Sequence, residues 1–162
     1  MDIIIKKAKL EDLETIQHFG YQLLLHEKDN WDNSLESDWP FSDEGKAAYT
    51  KAIQEKYTII ATANEKPVGY LIGSIRKPKS SDARQITTAQ LENIYVDSDN
   101  RGHGIGEKLA RAFQEHCISN NVDKISVTVN AKNEGAINFY KKIGLIPSRI
   151  ILSQSITNSN KS

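Results

Sequence analysis

Apolar positions change their spacing several times along this chain, and each change marks an element. Ile3-Ile4-Ile5 is a short β-branched run and predicts a strand, after which Leu13, Ile16, Leu23 and Leu24 recur near one face at helical spacing. The periodicity lapses over residues 27–44, where an acidic loop is expected, and a helix follows. Ser42 is placed as its cap, Asp43 and Glu44 lie in its first turn, Ala48, Ala52 and Ile53 form its apolar side, and its end is expected near Lys56. Tyr57 to Ala63 and Val68 to Arg76 alternate as strands around the turn Asn64-Glu65-Lys66-Pro67, and a basic loop from Lys77 to Arg84 comes next.

The stretch from Ile86 to Val96 predicts another strand, with Glu92, Ile94 and Val96 on one face and Leu91, Asn93 and Tyr95 on the other. From Ile105 the spacing is helical, with Leu109, Ala112, Phe113, His116 and Cys117 on one stripe and Asn120-Asn121 as the stop. Ile125 to Val129 reads as a strand. Asn133 is placed to cap a short helix carrying Ala136, Phe139, Tyr140 and Ile143, and Gly144 to end it in a left-handed turn. A last strand is expected over about Arg149 to Ile156. One domain over residues 1–156 is the expectation, with a frayed polar tail at 157–162.

Charge narrows the partners. Twenty-one basic and 21 acidic residues give zero formal net charge, so no global field favours nucleic acid or an anionic membrane. One cysteine, Cys117, excludes an intramolecular disulfide, and the Cys/His spacing gives no recognisable metal site, so a reducing cytoplasmic setting is expected. No apolar stretch approaches the length of a spanning helix.

The chemistry concentrates where a strand meets glycines and then a helix, at Arg101-Gly102-His103-Gly104-Ile105-Gly106. Unpaired amides at a helix start favour an anion, and glycine lets the backbone approach phosphate oxygens. A dinucleotide fingerprint begun at Gly102 or Gly104 requires a third glycine where Glu107 or Leu109 stands, and a Walker loop requires a hydroxyl residue after its lysine, which Gly106-Glu107-Lys108 lacks. What remains is R-x-x-G-x-G, met by Arg101, Gly104 and Gly106, with Asn133, Ala136, Phe139-Tyr140 and Gly144-Leu145 following downstream. This pair of ordered motifs resembles the acetyl-CoA-binding signatures of the GNAT superfamily of N-acetyltransferases, with Leu145 in place of the usual phenylalanine and Gly135 at a position often held by a larger residue.

The resemblance implies an α+β fold with a twisted, mostly antiparallel mixed sheet of about six to seven strands and about four helices on both faces. It implies acetyl-CoA as acyl donor, no metal, and direct attack by an amine in a ternary complex. Backbone groups of the strand at Ile94 and Val96 would meet the pantetheine arm, Arg101 and the amides of Gly102, His103, Gly104, Ile105 and Gly106 the pyrophosphate, and Asn133 the pantetheine. Tyr140 is the expected general acid, Glu92 the expected base, directly or through water, and the Val96 amide the oxyanion donor. Members are commonly homodimers.

For the acceptor, residues 27–44 hold seven acids against one lysine. Asp29, Asp32 and Asp38, with Trp31 and Trp39 among them, suit a small basic amine. A protein N-terminus or lysine as acceptor, and an acyl-CoA-binding module without catalysis, are the competing readings. Cys117 reads as a core thiol, and His18, His26, His103 and His116 as non-catalytic.

Overall fold

The computed structural model describes residues 1–78, 82 and 84–156. The elements run β1 (Ile3–Lys7), α1 (Leu13–Asn30), α2 (Asp43–Glu55), β2 (Tyr57–Ala63), β3 (Lys66–Arg76), β4 (Thr88–Val96), α3 (Ile105–Ser119), β5 (Lys124–Ser126) and α4 (Glu134–Lys142). The five strands form one sheet in chain order. β1 to β4 are antiparallel neighbours and β5 is parallel to β4. The mixed architecture is the expected one, with five strands among the described residues where six or seven were anticipated.

Alternation along β2 sorts the core into two layers. Ile59, Ala61 and Ala63 join Ile105, Leu109, Phe113 and Cys117 of α3 on one face. Ile60 joins Ile16 and Phe19 of α1 and Tyr49, Ala52 and Ile53 of α2 on the other. α1 crosses α2 where Gly20 meets the Tyr49 ring, so closely that a Cβ on Gly20 would lie 2.1 Å from the phenol oxygen. Ser42 caps α2, accepting a bond from the Gly45 amide at 3.0 Å, a contact that stabilises a helix by ~1 kcal/mol.

Several expectations are corrected. α1 continues to Asn30, so Glu27 to Asn30 lie on a helix and the acidic loop is shorter, interrupted by a 3-10 turn at Trp39–Phe41. Ala48 is exposed, and Tyr49 takes the buried place on α2 because the inner stripe runs Gly45, Tyr49, Ala52, Ile53. The β2–β3 turn is only Asn64-Glu65, both in the left-handed region (φ 49° and 68°), as a tight hairpin turn following strand twist requires.

β4 is bulged. Ile72 pairs with Asn93 and Gly73 with Leu91, which leaves Glu92 without a partner. Leu91, Ile94 and Val96 consequently pack in the same core layer, although Leu91 was expected on the face opposite Ile94 and Val96. Pairing with β5 stops at Gln90 and Ser126, just before the bulge turns β4 aside, so the predicted strand Ile125 to Val129 is hydrogen-bonded only over Lys124–Ser126. The strand expected at Arg149 to Ile156 is not formed. Gly144 (φ 102°) ends α4, the chain continues past Pro147, and Ile150, Ile151 and Leu152 are exposed with no strand beside them. Lys79 of the basic loop and the tail 157–162 lie outside the described residues.

Candidate active site

β4 delivers the chain into the glycine loop, and the loop is locked to the strand that precedes it. A 3-10 turn at Ser98–Asn100 reverses the chain, and Arg101 Nε donates to the Val96 carbonyl at 2.9 Å while its guanidinium lies 5.6 Å from the Tyr95 ring centre. Gly102 (φ 79°) and Gly104 (φ 75°) take left-handed conformations that a side chain would strain, and the space beside each is open. Gly104 is the N-cap of α3 without any side-chain cap. The first main-chain bond into the helix is Lys108 N to Gly104 O at 3.0 Å, so the amides of Ile105, Gly106 and Glu107 have no partner within the helix. These amides lie at the positive end of a 15-residue helix, where negative charge is favoured. The His103 ring Nδ1 sits 3.2 Å from the Asn100 carbonyl.

Pairing between β4 and β5 ends at Gln90 and Ser126, which leaves a gap in the ladder on the way to this loop. Asp97 N bonds Val68 O across β3, so by antiparallel alternation Val96 turns its N–H and C=O to the other edge, as the Arg101 contact shows. The main-chain groups of Ile94 have the same parity. The gap is thus lined on one side by strand backbone that β5 does not pair.

α4 packs against the start of α3. Asn133 Oδ1 accepts from Ala136 N at 3.0 Å, so its oxygen is the helix cap, and its amide nitrogen bonds no group among the described residues. A Cβ on Gly106 would lie 3.3 Å from the Phe139 ring, which shows how tightly the start of α3 meets α4. Lys142 pairs with Glu107, and Gln114 Nε2 donates to the Ile143 carbonyl at 3.0 Å, fixing the two helices together. Tyr140 is half-buried, packs against the α3-side core, and stands edge-on to Phe139 at 5.3 Å. Burial, and then the negative charge of Glu27, push its phenol up to about 12.

The two expected carboxylate groups are placed differently from their sequence reading. Glu92 is held by Lys56, whose Nζ reaches both carboxylate oxygens at 3.0 and 2.9 Å. Asp29, Asp32 and Asp38 are exposed. Asp32 accepts from Ser34, which lowers its carboxyl. Trp31 stands edge-on to His26 at 5.0 Å, and Trp39 packs on Tyr49 as an anchor to the core. Sequence reasoning passed over Glu27, which it counted among loop acids. The half-buried Glu27 follows Ile16, Gly20 and Leu23 on the inner stripe of α1, and burial raises its carboxyl. The helical spacing from Leu23 to Glu27 was the available signal.

Cys117 is buried, with its thiol pushed up to about 11 by desolvation, as a core thiol should be. Among the described residues no group of three or more His, Cys, Asp or Glu is placed to hold a metal ion, and no helix is long and apolar enough to cross a membrane.

Comparison with known proteins bears on the fold and the family. An uncharacterized N-acetyltransferase of Methanocaldococcus jannaschii, MJ1207, is 29% identical over 92 residues, covering 57% of this chain and 40% of that protein, so the chain spans under half the length of that curated relative. The tetramutant of the BH1408 protein from Bacillus halodurans superposes with a TM-score of 0.86 at 20% identity, over 94% of this chain and 99% of that one. AAC(6')-Iy in complex with the bisubstrate analog CoA-S-monomethyl-acetylneamine superposes at 0.72 and 18% identity, over 96% and 99%. At these identities both structures speak for the fold. The acetyltransferase (GNAT) family profile matches residues 22–145, from the middle of α1 to the residue after Gly144, and this chain belongs to that family.

Proposed function

We propose that this protein transfers an acetyl group from acetyl-CoA to a primary amine by direct attack in a ternary complex, and that the acceptor is a small basic amine. The observation that carries the donor half is the glycine loop at the start of α3, open beside Gly102 and Gly104 and tied to β4 through Arg101. A pyrophosphate satisfies the amide donors at the positive end of α3. The pantetheine arm then runs along the unpaired edge at Ile94 and Val96, with the Asn133 amide nitrogen alongside, and its thioester comes toward Tyr140.

The residues divide the chemistry as follows. The Val96 amide, directed into the gap, donates to the developing oxyanion. As the C–N bond forms and the C–S bond breaks, Tyr140 gives its proton to the departing sulfur. A phenol pushed up to about 12 stays protonated at neutral pH, so its proton is present when the sulfur departs. Its oxygen recovers a proton from the new amide nitrogen. Glu92 is better suited to positioning than to proton removal, because Lys56 engages both its oxygens at the bulge that shapes the gap.

The basic acceptor is supported by the acidic character of residues 27–44 and by AAC(6')-Iy, which in its solved complex holds an acetylneamine joined to CoA. Thiol release from acetyl-CoA against spermidine, neamine and lysyl peptides tests the proposal. Turnover is expected with at least one polyamine or aminoglycoside. Tight acetyl-CoA binding with no turnover on any of them would make the protein an acyl-CoA-binding module instead, and turnover on peptides alone would move the acceptor to protein.

A further inference from the structure

Lys56 brings a primary amine to the stretch of β4 that β5 leaves unpaired. It is the C-cap of α2 and the residue before β2, and its root is fixed from both sides. Its amide donates to the Ala52 carbonyl at 3.1 Å, and Thr58 Oγ1 donates to the same oxygen at 2.7 Å. Tyr57 pairs with Gly73 and Gly73 with Leu91, so Lys56 starts two strands away from the bulge at Glu92, a separation of roughly 10 Å. The lysine chain crosses β3, and its Nζ lies 3.0 and 2.9 Å from the two Glu92 carboxylate oxygens. Both side chains stay partly exposed, at 34% and 23%, so the pair adds little to stability. What it does is hold an amine in one place within reach of water.

That place follows from the donor path proposed above. Glu92 lies two residues beyond Gln90, where pairing with β5 ends. With the pyrophosphate at the glycine loop and the arm running back along Val96 and Ile94, the thioester end comes toward the bulge. From Val96 to Glu92 is about 13 Å of extended strand, of the order of a stretched pantetheine arm. Tyr140 packs in the core layer of α3, whereas Lys56 comes from the end of α2, whose buried residues lie in the layer on the other face. The amine and the proton donor for sulfur thus approach the parting of β4 and β5 from opposite faces of the sheet.

We propose that Lys56 is a self-acetylation site: with acetyl-CoA bound, its amine attacks the thioester held by the same chain and becomes an Nε-acetyllysine. The inference rests on the acetyl-CoA reading of the glycine loop. Glu92 orients the ammonium, which gives one proton to water, and the neutral nitrogen forms the C–N bond as the C–S bond breaks. Tyr140 protonates the departing sulfur and recovers a proton from the new amide nitrogen. Lysine ammonium and acetyl-CoA give acetyllysine, free thiol and one released proton. Acetylation removes the charge that Glu92 pairs with and frees its carboxylate at the bulge.

The test incubates the full chain with isotope-labelled acetyl-CoA and no added amine, and follows the label at each lysine by peptide mass spectrometry. Lys56 should be labelled at least ~10-fold faster than Lys51, a lysine of the same helix that also pairs with a carboxylate, Glu55, and is more exposed, at 67%. At saturating acetyl-CoA the rate per chain should not change when the protein is diluted. Glu92→Gln should slow labelling of Lys56 by ~10-fold or more and leave acetyl-CoA affinity by calorimetry unchanged. Lys56→Arg, which keeps a cation on Glu92, should fold as wild type and lose this label. Equal labelling of Lys56 and Lys51, or labelling of Lys56 that persists in Gly104→Glu, would mark plain chemical acetylation and overturn the proposal. An unlabelled Lys56 in a chain that binds acetyl-CoA, or a rate per chain that rises with protein concentration, would overturn it too. A wild type without affinity for acetyl-CoA would instead overturn the donor reading beneath it.

Discussion

Arg101 Nε donates to the carbonyl oxygen of Val96 at 2.9 Å, so the residue that opens the glycine loop is tied to the residue that ends β4. The sequence motif suggests an arginine reaching for phosphate. In the folded chain at least one of its donors ties the glycine loop to the end of the strand.

Replacing Arg101 with alanine should loosen the loop without unfolding the protein. A charge-assisted bond of this kind is worth ~1.5–3 kcal/mol, which predicts acetyl-CoA binding weaker by roughly 10- to 100-fold. Calorimetric titration checks it. Unaltered affinity would mean that the loop holds its shape independently.

Gly104→Glu should abolish acetyl-CoA binding. The substitution forces a side chain into φ 75° and sets a negative charge where the amides expect an anion. The nearby space is empty, so the fold should survive, as circular dichroism would show.

Tyr140→Phe should cut turnover by ~10²–10⁴-fold when chemistry is rate-limiting, with little change in acetyl-CoA affinity. The pH profile carries a second expectation. With the phenol pushed up to about 12, Tyr140 should set no alkaline limb below about pH 10. The folded state also keeps this proton through pH 10–12 where the unfolded chain releases it, so the stability Tyr140 contributes is fully present below pH 10 and is lost as pH rises toward 12. Alkaline melting curves of wild type and Tyr140→Phe would expose the difference.

Glu92→Gln should leave the chemistry largely intact and act on geometry. It weakens a partly shielded pair with Lys56, for which a loss of ~1 kcal/mol in stability is expected. A fall in turnover matching that of Tyr140→Phe, with a shifted pH profile, would restore Glu92 as the base.

Local chemistry was legible in the sequence wherever one residue type answers one backbone demand. Gly102 and Gly104 stand at left-handed positions, Gly144 at the end of α4, and Ser42 and Asn133 cap their helices. What escaped depends on pairing between distant segments. The bulge at Glu92 exists because β3 and β4 fall out of step at Ile72 and Gly73, and no local pattern in β4 announces it. Arg149 to Ile156 has strand composition, but a strand also needs a neighbour, which composition does not encode. Glu27 was hidden by its own neighbourhood, because an acid in an acidic stretch looks solvated until the helix is known to continue and turn it inward.

The central claim is that the free amides of the loop hold the donor's pyrophosphate, and amide chemical shifts during titration with acetyl-CoA test it most directly. Saturable shifts at Gly102, His103, Gly104, Ile105 and Gly106, of a size matched elsewhere only along Ile94 to Val96, are the predicted result. Acetyl-CoA binding with those five amides unmoved would contradict the account.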